Sequence, residues 1–235
     1  MTLLEWPRRV AALGQFHVDD LEEPDLGRDD DHHLRRVLRA NFGEEIVVTN
    51  GAGSWALCQV KEAGLDRVSD VCLDPFSPAT TLYLTPIKGE RAEWAVAKAT
   101  EVGVSRIVPL VSARMVVKFK GEARQKTLAR WRRVADEAAS QCRRSYDVLI
   151  DEPVKVADVP ASVAVADLAG AGDWRGVRGV AIGPEGGWAS EEWSEDRRRV
   201  GLGPTVLRAE TAGVLAATLM AFQAGGWGFT LESGK

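Results

Sequence analysis

Histidine and cysteine are scarce in this sequence, and many kinds of active site are excluded with them. Among 235 residues there are three of each. Cys58, Cys72 and Cys142 are far apart and odd in number. That argues against a disulfide framework and for reduced thiols in a cytoplasmic protein. His17 stands alone, and His32 and His33 are adjacent. Neighbouring helical positions point about 100° apart, so the adjacent pair does not face one ion, and no metal is expected. No Ser-His-Asp or Cys-His arrangement suggests itself. Long apolar runs are missing too: the longest near-unbroken stretch, 214–222, is about half of a membrane span. The opening MTLLEWPRRV has no apolar block before a small-residue cleavage site, so no secretory signal is expected. There is no GxGxxG after an early strand and no GxxxxGK followed by Ser or Thr, so the usual dinucleotide and P-loop readings lack their residues.

What is present is an ordinary globular composition, 45% apolar and 27% charged. The length allows one large domain or two smaller ones. The net charge of −4 hides an asymmetry. Residues 1–79 carry 8 basic and 15 acidic side chains, whereas residues 88–144 carry 14 basic and 6 acidic. Such a basic block is either a polyanion-binding surface or a solvated, Arg-rich helix face, and charge alone does not choose.

Residues 1–75 read mainly as short strands and turns. The runs 46–49 and 55–60 flank Asn50-Gly51, a strong hairpin signal. A helix over 31–39 precedes it, with Asp31 as N-cap and Leu34, Val37 and Leu38 on one face. Pro75 and Pro78 then punctuate the chain, giving a first domain over 1–75 and a second over 80–235. In the second, strands at 81–87, 106–111, 148–150, 163–165, 177–182 and 205–207 alternate with helices. The helices are placed at 90–102, 124–143, after a Ser190 cap with Glu191 and Glu192 in the first turn, and at 210–222. The last is apolar on nearly every side and should be buried. This alternation predicts an α/β domain with a parallel sheet.

Two loops after strands of the second domain stand out. Ile182-Gly183-Pro184-Glu185-Gly186-Gly187 cannot be helix or strand, and its backbone can approach a ligand closely. In parallel sheets ligands bind beyond the carboxyl ends of strands, where this loop sits. The bland alternative is a plain strand-to-helix turn. The second loop, 202–212, places Arg208 and Glu210 at the mouth of the buried helix, where a charged pair is costly unless satisfied. It is either a structural cap or, together with the first loop, one composite pocket.

Six segments carry a resemblance across nearly the whole chain: HHLRRVLR at 32–39, KGERAEWAVAKATEVGV at 88–104, LVSARMVV at 110–117, RWRRVADEAASQC at 130–142, IGPEGGWASEE at 182–192 and LGPTVLRAETA at 202–212. The second domain resembles the SPOUT class of knotted RNA methyltransferases. Within it the chain is similar to the small-subunit (16S) ribosomal RNA uridine N3-methyltransferase family. Ala209 stands where that family commonly has Thr, and Cys142-Arg143-Arg144-Ser145 stands where it usually has a Gly before an Arg. The resemblance implies a PUA-like β-barrel that helps hold RNA, then a deep trefoil knot near the C-terminus. It implies S-adenosylmethionine held by Ile182, Gly183, Pro184, Glu185, Gly186, Gly187, Leu202, Gly203, Leu207, Arg208 and Thr211, chiefly through backbone groups. It also implies a homodimer acting on 16S rRNA or the small ribosomal subunit.

Methylating the uridine imide nitrogen requires its proton to leave, so the site needs a proton acceptor or positive charge for the resulting anion. The candidates are Arg114, Arg208 and Glu210, with Glu137 and Gln141 behind them. Lys118, Lys120, Lys126, Arg130 and Arg133 are candidates for a phosphate track. Arg8, Arg9, Arg35, Arg36 and Arg39 form a candidate local patch on the acidic first domain. His32 and His33 are assigned to packing or RNA contact. Two other functions stay open: a ribose 2′-O methyltransferase of the same class, and a non-catalytic RNA-binding or assembly protein with a relict pocket.

Overall fold

The computed structural model describes residues 5–75, 78–117 and 119–225. The chain divides into two compact units, residues 1–76 with 137–147, and residues 77–136 with 148–235.

In the first unit, β1 (Gln15–His17), β2 (Glu45–Thr49), β3 (Ser54–Val60) and β4 (Leu65–Arg67) form one sheet in that order, and β5 (Cys72–Leu73) also pairs with β3. β1 runs parallel to β2, and the other pairings are antiparallel. The β2–β3 hairpin turns at Asn50, whose Oδ1 accepts the backbone N–H groups of Ala52 and Ser54. Alternate residues serve two cores. Ile46, Val48, Ala56 and Cys58 pack with Phe16 and Leu34, while Val47, Trp55 and Leu57 pack with Ala12. Burial on both faces explains why these strands read as continuous apolar runs rather than alternating ones.

The helix ahead of the hairpin starts earlier than the sequence suggests. α2 (Arg28–His32) has Gly27 at its N-cap and continues as a π turn over His33–Val37. Asp31 is therefore inside the helix and not its cap; its carboxylate pairs with Arg35 at 2.7 Å. Asp29, Asp30 and Asp31 all fall in the first turn, where the helix dipole favours anions.

Asp74 ties this unit together. Arg9 of α1 (Glu5–Ala11), 1% exposed, donates to both carboxylate oxygens at 2.9 and 2.8 Å. Trp55 Nε1 donates to the same carboxylate at 3.0 Å, and Ser145 Oγ donates to it as well. The Arg9 guanidinium lies 4.3 Å from the Trp55 ring centre and also donates to the Arg143 carbonyl. Arg143, at φ 61°, donates to the Ala12 carbonyl at 2.6 Å. Burial, and then the neighbouring Arg9 charge, pull the Arg143 pKa down. This corrects the placement of Arg9 in an RNA-facing patch: its guanidinium is sealed inside. Replacing Asp74 by Ala leaves Arg9 a buried, unpaired cation and should cost about 3–5 kcal/mol of unfolding free energy. Breaking the exposed Arg8–Glu45 pair should cost about 1 kcal/mol or less. Urea unfolding of D74A and E45A checks the contrast.

The second unit is the expected parallel α/β layer. Its strands are β6 (Thr81–Leu84), β7 (Arg106–Val111), β8 (Leu149–Ile150), β9 (Val154–Lys155), β10 (Ala164–Ala171), β11 (Gly179–Ile182) and β12 (Arg199–Val200). They lie in the order β12-β10-β11-β6-β7-β8, with β9 also on β7, and every pairing is parallel. Leu82, Leu84, Ile107, Val180 and Ile182 face the helical side. That side is covered by α3 (Arg91–Glu101), α4 (Gly121–Gln141) and α5 (Ala209–Gln223). Tyr83, Val108, Leu110, Val165 and Ala181 face the other side, against Val156, Val159 and Trp193. α5 buries mainly Ala and Gly and packs on α3, β6 and β11.

Two local expectations fail here. No helix follows Ser190; residues 190–191 form a turn and 192 a bend, and the Glu192 carboxylate accepts from Ala189 N nearby and from Ala113 N of a distant loop. The last strand is β12, not 205–207. Residues 205–207 have no sheet partner and instead border a cavity.

Candidate active site

Parallel strands deliver all their carboxyl ends to one edge of the sheet, and the cavity lies there. It has a volume of about 890 Å³. Its walls come from the bend after β11, the bend after β12, and Ala166, Asp167 and Leu168 of β10, the strand between them. Ile182, Gly183, Pro184, Glu185, Gly187, Leu202, Gly203, Leu207 and Arg208 line it, so the two sequence loops do form one composite pocket. Gly186 and Thr211 are not part of the lining.

Side chains fix the bends from behind. Thr85 donates through both its N–H and its Oγ1 to the Ile182 carbonyl, at 3.2 and 3.0 Å. The Trp188 indole lies so close to Gly183 that a Cβ there would come within 2.9 Å of it. Trp188 Nε1 donates to Ala166 O at 3.1 Å, and its ring meets Trp193 edge-on at 5.1 Å. Gly203 sits at φ 113°, outside the range of ordinary L-residues. Arg199 pairs with Asp167, and both line the cavity.

The three candidate catalytic residues are placed differently. Glu210, in the first turn of α5, is 7% exposed. Its Oε1 is 3.6 Å from Arg91 Nη1, and its Oε2 is buried without a hydrogen-bond partner. Arg208 is the N-cap residue of α5, exposed on the cavity wall. Arg114, like Glu210, is outside the lining; it is exposed and donates to the Gly186 carbonyl at 3.2 Å. Glu137 and Gln141 are exposed on the last turns of α4 and belong to the first unit.

The sequence did not single out Arg91, Asp167, Arg199 or Glu192. Arg91 lines the cavity and forms an ion pair with Glu185; that hydrogen bond raises its guanidinium pKa. Its position offers a signal, since a cation in the first turn of a helix opposes the dipole. Glu192 accepts from Ala113 N at 2.5 Å and Ala189 N at 2.8 Å, bracing the Arg114-bearing segment against the glycine bend. The hydroxyl of Ser190 holds the Glu191 carboxyl below the usual carboxylate range.

Among the proposed phosphate contacts, Arg36 and Arg39 are exposed, as are Lys120 and Arg133. Arg8 and Arg35 pair with Glu45 and Asp31. Lys126 pairs with Glu122 at 2.7 Å and Arg130 with Glu93 at 3.1 Å. Lys118 lies outside the described residues. The ring of His33 meets Phe16 edge-on.

A family model for an RNA methyltransferase domain matches residues 75–221, spanning the cavity and its sheet. The chain belongs to the RNA methyltransferase domain family. A second model, for an RNA methyltransferase PUA domain, matches residues 26–69. A ribosomal RNA small subunit methyltransferase E of Mycobacterium bovis is 33% identical, over 88% of this chain and 90% of its own. The protein of that name in Bacillus subtilis is 27% identical, over 92% and 96%. A crystal structure of ribosomal RNA small subunit methyltransferase E from Neisseria gonorrhoeae, bound to S-adenosyl methionine, aligns with a TM-score of 0.73 at 26% identity. It covers 89% of this chain and 97% of that one.

Within this methyltransferase domain, Glu192→Ala removes the acceptor of two backbone N–H groups, at about 1 kcal/mol net for each hydrogen bond lost. The amides of Ala113 and Ala189 should then exchange hydrogen severalfold faster, read by native-state exchange. Unchanged protection would show that the brace carries no energy.

Proposed function

We propose that this protein transfers a methyl group from S-adenosylmethionine to N3 of a uridine in 16S ribosomal RNA. The observation that carries it is the single cavity formed by the bends after β11 and β12 in a chain of the RNA methyltransferase family. The cavity suits the donor. Its volume falls in the range of small-molecule pockets. Ile182, Leu202, Leu207, Ala209 and Ala212 give it an apolar wall, and Glu185 and Asp167 place carboxylates on it. The glycine bends present backbone groups that no side chain shields. In this reading, Ile182 to Gly187 and Leu202 to Arg208 hold the donor, which supplies an electrophilic methyl when bound.

The chain's own residues then have distinct tasks. The apolar wall excludes water and fixes the line of approach. Glu210, with an unpartnered buried oxygen, takes the imide proton. Arg208, exposed on the wall, stabilises the uridine anion. Arg114 leaves most of an exposed guanidinium available for phosphate. The target base must be unpaired or turned out to present its pairing edge. Lys120, Arg130 and Arg133 track the backbone, and Arg36 and Arg39 make a basic patch of the first unit by themselves, so RNA affinity falls with salt.

Two structural points belong to the same proposal. The chain leaves the edge strand β12 and returns as α5 to the middle of the sheet, on β6 and β11, which supports a knotted path through the two bends. Leu168 and Val206, 73% and 80% exposed, stand on the cavity wall, which supports closure by a second copy of the chain.

Single replacements test the assignment. Glu210→Ala should lower turnover by about a hundredfold or more while S-adenosylmethionine still binds by calorimetry. Arg208→Ala should also lower turnover, and Arg114→Ala should weaken RNA binding. Wild-type turnover in all three would overturn the roles. Mapping the modified nucleotide on rRNA from a deletion strain decides between base and ribose methylation, and absent donor binding would favour a non-catalytic protein.

A further inference from the structure

We propose that Arg91 is a positioning residue: it pairs with both Glu185 and Glu210, and through Glu185 on the cavity wall it sets the grip of the cavity on the methyl donor. The inference rests on the methyl-donor reading given above and adds a residue to it.

Sheet order brings the three groups together. β6 and β11 are neighbours, so the segment leading from β6 into α3 emerges beside the bend that leaves β11. Arg91, the first residue of α3, thereby reaches Glu185 on that bend. The same guanidinium nitrogen lies 3.6 Å from Glu210 Oε1, at the head of α5. One cation thus spans two of the elements that build the pocket.

Helix stability does not account for this placement. A positive charge in the first turn works against the dipole of α3. Nor does core packing: α3 buries Ala92, Ala95, Val96, Ala99 and Thr100, while Arg91 stays at the cavity wall. A local rule broken without a structural gain points to function. The charge balance agrees. Two carboxylates share one guanidinium, and Glu210 is almost buried. Without Arg91, Glu210 loses its ion pair, and Glu185 loses its tether on a bend whose glycines do not restrain it.

The test measures the dissociation constant of S-adenosylmethionine for the full chain by calorimetry. The variants are R91Q, R91K, E185Q and R91Q/E185Q, with thermal unfolding followed in parallel. R91Q and E185Q should each weaken binding about tenfold, and the double variant no more than R91Q alone, because coupled residues do not add. R91K should recover part of the loss, since an ammonium keeps the charge but not the fork. The KM for RNA should stay within about twofold, separating this role from RNA contact. Wild-type affinity in R91Q, or losses that multiply in the double variant, would overturn the proposal. Should R91Q not fold, E185Q decides: Glu185 is half-exposed, and wild-type affinity there removes the residue through which Arg91 acts. If the unaltered protein binds no S-adenosylmethionine, the methyl-donor reading itself falls, and this role with it.

Discussion

Parallel strand direction is the constraint on which the candidate site depends. Because every pairing in the second sheet is parallel, the exits of β6, β11 and β12 open on one edge. No single loop could enclose a cavity of this size. β10 lies between β11 and β12, so the two bends flank its end and Ala166, Asp167 and Leu168 become the third wall. The pocket therefore follows from strand order, and its lining residues reach from Arg91 to Ala212 in sequence.

The first unit is held on a different principle. Its sheet is small, and the half-buried carboxylate of Asp74 gathers the buried Arg9 with Trp55 and Ser145. A buried ion pair is not stabilising by itself, because desolvation offsets the attraction. It specifies which segments meet. Here it brings α1, β3 and residues 143–145 to one point, so the chain segment 137–147, over 60 residues away, completes this unit.

The sequence was most informative where one periodicity dominated. The β2–β3 hairpin, the alternation after residue 80 and the buried helix α5 were all legible, since burial imposes a fixed apolar pattern on each. Boundaries failed where side chains compete for backbone groups. Glu192 has the chemistry of a helix start and does reach back to Ala189 N, but its other oxygen is taken by Ala113, 79 residues away. Arg9 reads as a surface cation because nothing local announces Asp74, 65 residues later. Arg91 was likewise invisible as a site residue, since its meaning comes from β6 lying beside β11. The glycine bends were legible because backbone freedom is written in the glycines themselves; their meeting was not.

The acidic balance of the first unit need not oppose an RNA partner. Charges further apart than about 8–10 Å are largely screened at physiological ionic strength, so a phosphate responds to its immediate surroundings and not to the sum over the unit. Part of the acidity is already engaged: Glu45, Asp31, Glu22 and Asp74 each hold an arginine. Arg36 and Arg39 are exposed with no ion pair among the described residues. Arg39 also holds a left-handed φ of 56°, which costs about 1–2 kcal/mol in a residue with a side chain. Arg143 adopts the same conformation just past the end of α4, where the Arg144 N–H reaches back to the Ala139 carbonyl. Arg39 directly follows the C-cap residue Leu38, and the Ala40 N–H reaches back to the Leu34 carbonyl, so its left-handed backbone belongs to the helix ending; its exposed side chain, not strain, is what leaves it accessible.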